Sequence, residues 1–190
     1  MKTSHSFYLR GFTLVELIVT IAILAVVMAV AVPSFTNFKR NSELTAAANS
    51  FVGMLAAARG EAMKSSTTAV VLPLDGANWA NGWIAFLDKN FDGVYNADTD
   101  TLIMKKDESL PSYFSMTKLG TAESFKYNGS GYSVTGAGFG ASTLTIARTD
   151  ITGSELLSQT RRVKVSSTGR VRVCTPKTST DTLCSGTAVE

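Results

Sequence analysis

Histidine is nearly missing from this 190-residue chain, whose one copy, His5, precedes a hydrophobic segment. Imidazole is the usual neutral-pH base and a common zinc ligand, so its scarcity speaks against Ser-His-Asp or Cys-His catalysis and against His-containing zinc sites. No nucleophile motif takes its place, and the sequence implies neither an enzyme nor a cofactor. With 45% hydrophobic and 17% charged residues, the chain can bury one core but has little material for a second domain, so one globular domain with an appendage is expected.

Acid is the second shortage, and it is local. Between Glu155 and Asp181 lie Arg161, Arg162, Lys164, Arg170, Arg172 and Lys177 with no carboxylate among them. Setting these six aside, with Lys2 and Arg10 near the N-terminus, leaves 10 basic and 15 acidic residues, so a basic face sits on an acidic body. Val163, Val165, Val171 and Val173 alternate with Arg162, Lys164, Arg170 and Arg172, which predicts strands with valines inward and bases outward. A three-residue hairpin loop, Ser167-Thr168-Gly169 with Gly169 left-handed, would oppose Val165 to Val171 and Lys164 to Arg172. Like charges opposed across a ladder are destabilising. Two readings follow: a surface for a polyanionic partner, or a solvated edge whose bases prevent aggregation. The segment holds no aromatic side chain, so any nucleic acid would be held by phosphate and not read by base stacking.

Apolar sequence, by contrast, is concentrated in one run. Residues 12–32 are apolar except for Thr13, Glu16 and Thr20, and these 21 residues would span roughly 30 Å as a helix, the thickness of a bilayer core. Lys2 and Arg10 ahead of the run place the leader in the cytoplasm and the remainder outside. The run lacks the small-residue cleavage site at its far end that a secretory signal requires. Glu16 either snorkels to the headgroups or finds a partner inside the apolar phase.

Gly11-Phe12-Thr13-Leu14-Val15-Glu16-Leu17, followed by the apolar helix and Pro33, resembles the class III signal of type IV pilins and pseudopilins. The resemblance implies cleavage between Gly11 and Phe12 by a prepilin peptidase, N-methylation of Phe12, and retention of the helix in the mature protein. It also implies that Glu16 pairs with the terminal amine of a neighbouring subunit, fixing axial register as buried polar groups do in coiled coils.

Beyond the apolar run, Phe35, Phe38, Leu44, Ala48, Phe51, Met54, Leu55, Ala58 and Ala62 recur at mostly helical spacing. One helix from Phe12 to about Lys64 is expected, with a kink at Pro33. Leu55-Ala56-Ala57-Ala58-Arg59-Gly60-Glu61-Ala62 resembles the helix end of the GspH/FimT group of minor pilins and pseudopilins. Short β-rich runs follow at 68–74, 82–87, 101–105, 124–127, 142–147 and 161–174. The expected fold is α+β and pilin-like, a long N-terminal helix packed on an antiparallel sheet. Its divisions are a cleaved leader (1–11), a membrane or filament-core helix (12–33), an amphipathic continuation (34–65) and a periplasmic β-rich domain (66–190). Gly129, Gly131, Gly136, Gly138 and Gly140 suggest turns or a mobile loop without regular structure, and the Thr/Ser-rich tail from Thr175 reads as loop.

Cys174 and Cys184 close a short loop in a segment placed outside the cytoplasm, and a disulfide is expected there. Asp88, Asn90, Asp92 and Gly93 fit the opening of a calcium loop, but Thr99 stands where the closing Glu belongs; the alternative is a hairpin turn held by Asx hydrogen bonds.

Gly169-Arg170-Val171-Arg172 resembles the GRxR motif of FimT-type minor pilins, whose arginines bind DNA in natural transformation. The resemblance implies a minor pilin that sits in the inner membrane before assembly and then at or near the tip of an extracellular pilus. Arg170 and Arg172 would contact DNA, supported by Arg161, Arg162, Lys164 and Lys177. The alternatives are a GspH-like pseudopilin of type II secretion, which binds protein partners, and a structural initiator of pilus assembly.

Overall fold

The computed structural model describes residues 11–119, 123–136 and 138–187; the leader residues 1–10, with Lys2, His5 and Arg10, lie outside them. The chain divides into two compact units, Met1–Arg40 and Asn41–Glu190.

Helix α1 (Leu14–Ser65) runs through both and is continuous at Pro33. It starts on a capping box: the Glu16 amide donates to Thr13 Oγ1 at 3.2 Å, and the Thr13 amide donates to Glu16 Oε2 at 3.4 Å. It stops where Ser66 takes a positive φ of 50° and the Thr67 amide reaches back to the Ala62 carbonyl at 3.2 Å. That is a Schellman-type closure with serine where glycine is usual. In the first unit the described apolar side chains are exposed, and the helix is long and apolar enough, by length and composition, to cross a membrane. Phe35 and Phe38, expected on the core stripe, belong to this unit and are 68% and 71% exposed. The buried stripe begins instead at Leu44.

In the second unit Leu44, Ala48, Phe51, Leu55, Ala58 and Ala62 bury one helical face. The strands are β1 (Thr68–Pro73), β2 (Trp83–Asp88), β3 (Thr101–Lys106), β4 (Phe114–Leu119), β5 (Phe125–Tyr127), β6 (Ser133–Thr135), β7 (Gly138–Phe139), β8 (Ser142–Arg148), β9 (Thr160–Val165) and β10 (Val171–Cys174). A short helix α2 (Ser154–Ser158) precedes β9. The single sheet expected is two antiparallel sheets, ordered β3-β2-β1-β5-β6-β7 and β10-β9-β8-β4. Both feed one core. Phe51 meets Trp79, Trp83 and Phe125 edge-on at 5.4–5.5 Å, and Phe114, Met116, Leu144, Ile146 and Val163 close the core from the second sheet.

Strand β4 is absent from the sequence reading although Phe114 and Met116 alternate with polar residues at period 2, and its pairing with β8 adds the outer strand of the second sheet. The glycine-rich stretch is also more ordered than expected, since it contains β6 and β7. The tail beyond Cys174 has no regular element among the described residues, and the Cys174–Cys184 disulfide pins it.

Candidate functional site

Val163 and Val165 drop into the core, which fixes the face that β9 turns outward. β10 pairs with it in the register the sequence predicts: Val171 opposite Val165 and Arg172 opposite Lys164. The Ser166 amide bonds the Arg170 carbonyl at 2.9 Å, closing the loop Ser167-Thr168-Gly169. Gly169 has φ 81°, and a Cβ on it would stand 2.0 Å from the Gly131 carbonyl oxygen, so the position requires glycine twice over.

Arg59 of α1 holds this hairpin, a role the sequence reading did not assign. Its Nε donates to the Gly131 carbonyl at 2.8 Å and its Nη2 to the Thr168 carbonyl at 2.9 Å. The Ser133 amide also bonds the Ser167 carbonyl at 3.1 Å, tying β6 of the first sheet to the hairpin of the second.

The six bases separate into different environments. Arg161 points to the helix side, donating to Asn41 Oδ1 at 2.7 Å, Thr45 Oγ1 at 3.3 Å and the Ser158 and Thr160 carbonyls. It is a clamp between helix and sheet and does not join the outward basic face. Arg162 is half-buried and donates from Nη1 to the Cys184 carbonyl. Lys164, expected outward and solvated, is only 5% exposed. It donates to Ser185 Oγ at 3.3 Å, and burial, reinforced by Arg172 and Arg162, lowers its pKa. Arg172 is exposed and donates from Nη2 to the Leu183 carbonyl at 3.0 Å. Lys177 lies in the tail, where its backbone amide bonds Asp181 Oδ2. The guanidinium of Arg170 is exposed and has no partner among the described residues.

The tail therefore crosses the outer faces of β8 to β10, with Leu183, Cys184, Ser185 and Thr187 accepting from Arg172, Arg162, Lys164 and Thr143. Val173 is exposed, so the inward alternation of valines ends there, near the edge of the sheet. Beside the tail opens a groove of about 330 Å³ lined by Thr143, Lys164, Ser166, Thr168, Arg170 and Arg172, with no carboxylate among the described residues of its wall. Guanidinium forks, an ammonium and hydroxyl donors in one concave surface suit a phosphate-like anion.

Of the other predicted residues, Gly11 and Phe12 are exposed ahead of α1 and Glu16 stands in its first turn. Asp88 ends β2, and Asn90 and Asp92 lie in the β2–β3 loop. There Asp92 Oδ1 accepts the Val94 amide at 2.8 Å and Asn90 Nδ2 donates to Asp92 Oδ2 at 2.7 Å, the Asx-turn arrangement.

A long N-terminal helix laid on antiparallel sheets is the type IV pilin fold. The chain is similar to the type IV minor pilin FimU of Pseudomonas aeruginosa PAO1, with a TM-score of 0.56 at 19% identity over 74% of this chain and 99% of that one. A second crystal form of FimU gives 0.50 at 20% identity over 68% and 91%. Residues 9–32 match the prokaryotic N-terminal methylation motif. Residues 47–169 match the family described as type II transport protein GspH, and the chain belongs to that family. It is also 44% identical over 43 residues to prepilin peptidase-dependent protein D of Escherichia coli K12. That match takes in 23% of this chain and spans only 30% of the relative's length.

Proposed function

We propose that this chain is a minor pilin that captures extracellular DNA by its phosphates for uptake in natural transformation. The observation that carries the reading is the groove in which Arg170, Arg172 and Lys164 converge with no carboxylate among the described residues that line it. Opposing Lys164 to Arg172 across the ladder is unfavourable by itself, and a polyanion would neutralise the exposed charge of Arg170 and Arg172. Among the described residues Arg170 is unengaged, and Arg172 uses Nη2 on the tail and keeps its other donors. Both can grip successive phosphates without reading sequence. Arg162, Lys164 and Lys177 add to the field, whereas Arg161 is committed to the helix.

The rest of the reading concerns assembly. Cleavage between Gly11 and Phe12 by a prepilin peptidase frees the Phe12 amine for methylation, and α1 then anchors the subunit in the inner membrane with its β-rich domain in the periplasm. In the filament, the exposed apolar helix packs on neighbouring pilin helices and Glu16 meets a neighbour's terminal amine. The methylation-motif match and the name of the Escherichia coli relative support this processing.

The deciding experiment measures DNA binding by the full-length protein in detergent across a salt series, with Arg170→Ala plus Arg172→Ala for comparison. The wild type should bind duplexes of unrelated sequence alike, and the folded double variant should lose affinity with a salt slope smaller by about 2. Undetectable wild-type binding at low salt would shift the reading to a type II secretion pseudopilin that binds protein partners, which the family description favours.

A further inference from the structure

Asp88, the last residue of β2, and Asp92, Asp98 and Asp100 of the loop to β3 place four aspartates together along the chain against one lysine, Lys89. Asp100 is accounted for by the fold: its Oδ1 accepts the Lys89 amide at 3.2 Å and its Oδ2 the Asn96 amide at 2.8 Å. Asp88 is not. It is only 2% exposed; its Oδ2 is directed into the loop and accepts the Gly93 amide at 3.0 Å, and its Oδ1 is buried with no donor. A carboxylate oxygen shut from water and unpaired is among the costliest atoms a fold can keep, and such atoms mark places where something binds.

We propose that this loop is a calcium site, with the orphaned Asp88 Oδ1, the side-chain oxygens of Asn90 and Asp92 and the main-chain carbonyl of Val94 as protein ligands. These are positions one, three, five and seven of an oxygen-ligand loop with glycine at position six. The donor set contains oxygen alone, which selects a hard cation over zinc or copper. Among the described residues no three His, Cys, Asp or Glu side chains gather as a metal cluster, and position twelve is Thr99, so no bidentate carboxylate closes the shell. Water completes the coordination, and affinity falls at the weak end, on the order of 10⁻⁴ to 10⁻³ M, the range of extracellular modules. Lys126 is the competing cation: its amine would lie 3.1 Å from a Cβ on Gly93, yet it forms no ion pair with Asp88 among the described residues.

The test uses full-length protein in detergent, stripped with chelator, titrated calorimetrically with calcium or magnesium and followed by thermal unfolding. One saturable calcium site and a raised Tm are expected, with neither from magnesium at equal concentration. Exposed Asp92→Asn should keep the metal-free Tm and weaken calcium at least tenfold, and Asp88→Asn, which preserves the acceptor for Gly93, should abolish binding. No saturable binding up to about 10 mM, beyond the weakest calcium modules, equal response to magnesium, or unchanged binding in both variants would overturn the proposal.

Discussion

Arg59 reaches from α1 to the main-chain carbonyl of Gly131 at 2.8 Å, and the same guanidinium holds Thr168 in the loop that presents Arg170. One helical side chain thus fixes a loop of each sheet and sets the wall of the basic groove. Arg59→Ala should destabilise by about 2 kcal/mol, the worth of charge-assisted bonds to carbonyls left unpaired, and should weaken DNA binding although Arg59 lies outside the groove. Arg59→Lys should recover little, because an ammonium cannot reproduce the two-pronged fork. Thermal unfolding and the salt-series binding measurement together check this; unchanged affinity in Arg59→Ala would remove its positioning role.

Burial and two neighbouring guanidinium groups disfavour the charge on Lys164. Its pKa is lowered by burial first and by Arg172 and Arg162 next. The unfolded chain therefore holds that proton more tightly, and Lys164 makes stability rise with pH as the pH climbs toward the ordinary 10.5. Lys164→Met should flatten this slope, raise Tm by roughly 2–4 °C at neutral pH for about 1 kcal/mol of relief, and lower DNA affinity. A fall in Tm would mean that its bond to Ser185 outweighs the repulsion.

The disulfide should have opposite effects on stability and binding. Cys174→Ser plus Cys184→Ser should cost about 2 to 3 kcal/mol on the chain-entropy account. It should also loosen the tail carbonyls that engage Arg162 and Arg172, so salt-dependent DNA affinity should rise. Reduced affinity in the folded variant would instead make the tail part of the binding surface.

Glu16 completes a capping box with Thr13 inside its own chain, besides any role toward a neighbour. Glu16→Gln keeps the cap geometry and removes the charge, whereas Glu16→Ala removes both. If an intersubunit ion pair sets register, both variants should fail to enter filaments; if capping is the requirement, Glu16→Gln should incorporate normally. Pilus fractionation distinguishes the outcomes.

Local signals made much of this protein legible in its sequence. The apolar run, the period-2 valines and Gly169 fixed the long helix and the hairpin register, because each is a pattern among residues close along the chain. The cysteine pair was legible for the same reason. Tertiary structure alone decided what depends on distant partners. β4 became the second sheet's outer strand only through β8, and Arg161 was drawn to Asn41 and Thr45 across more than a hundred residues. Lys164 was buried by a tail that alternation could not foresee. Periodicity tells which way a side chain points from its strand; whether water or another segment waits there is set by how the remote chain packs.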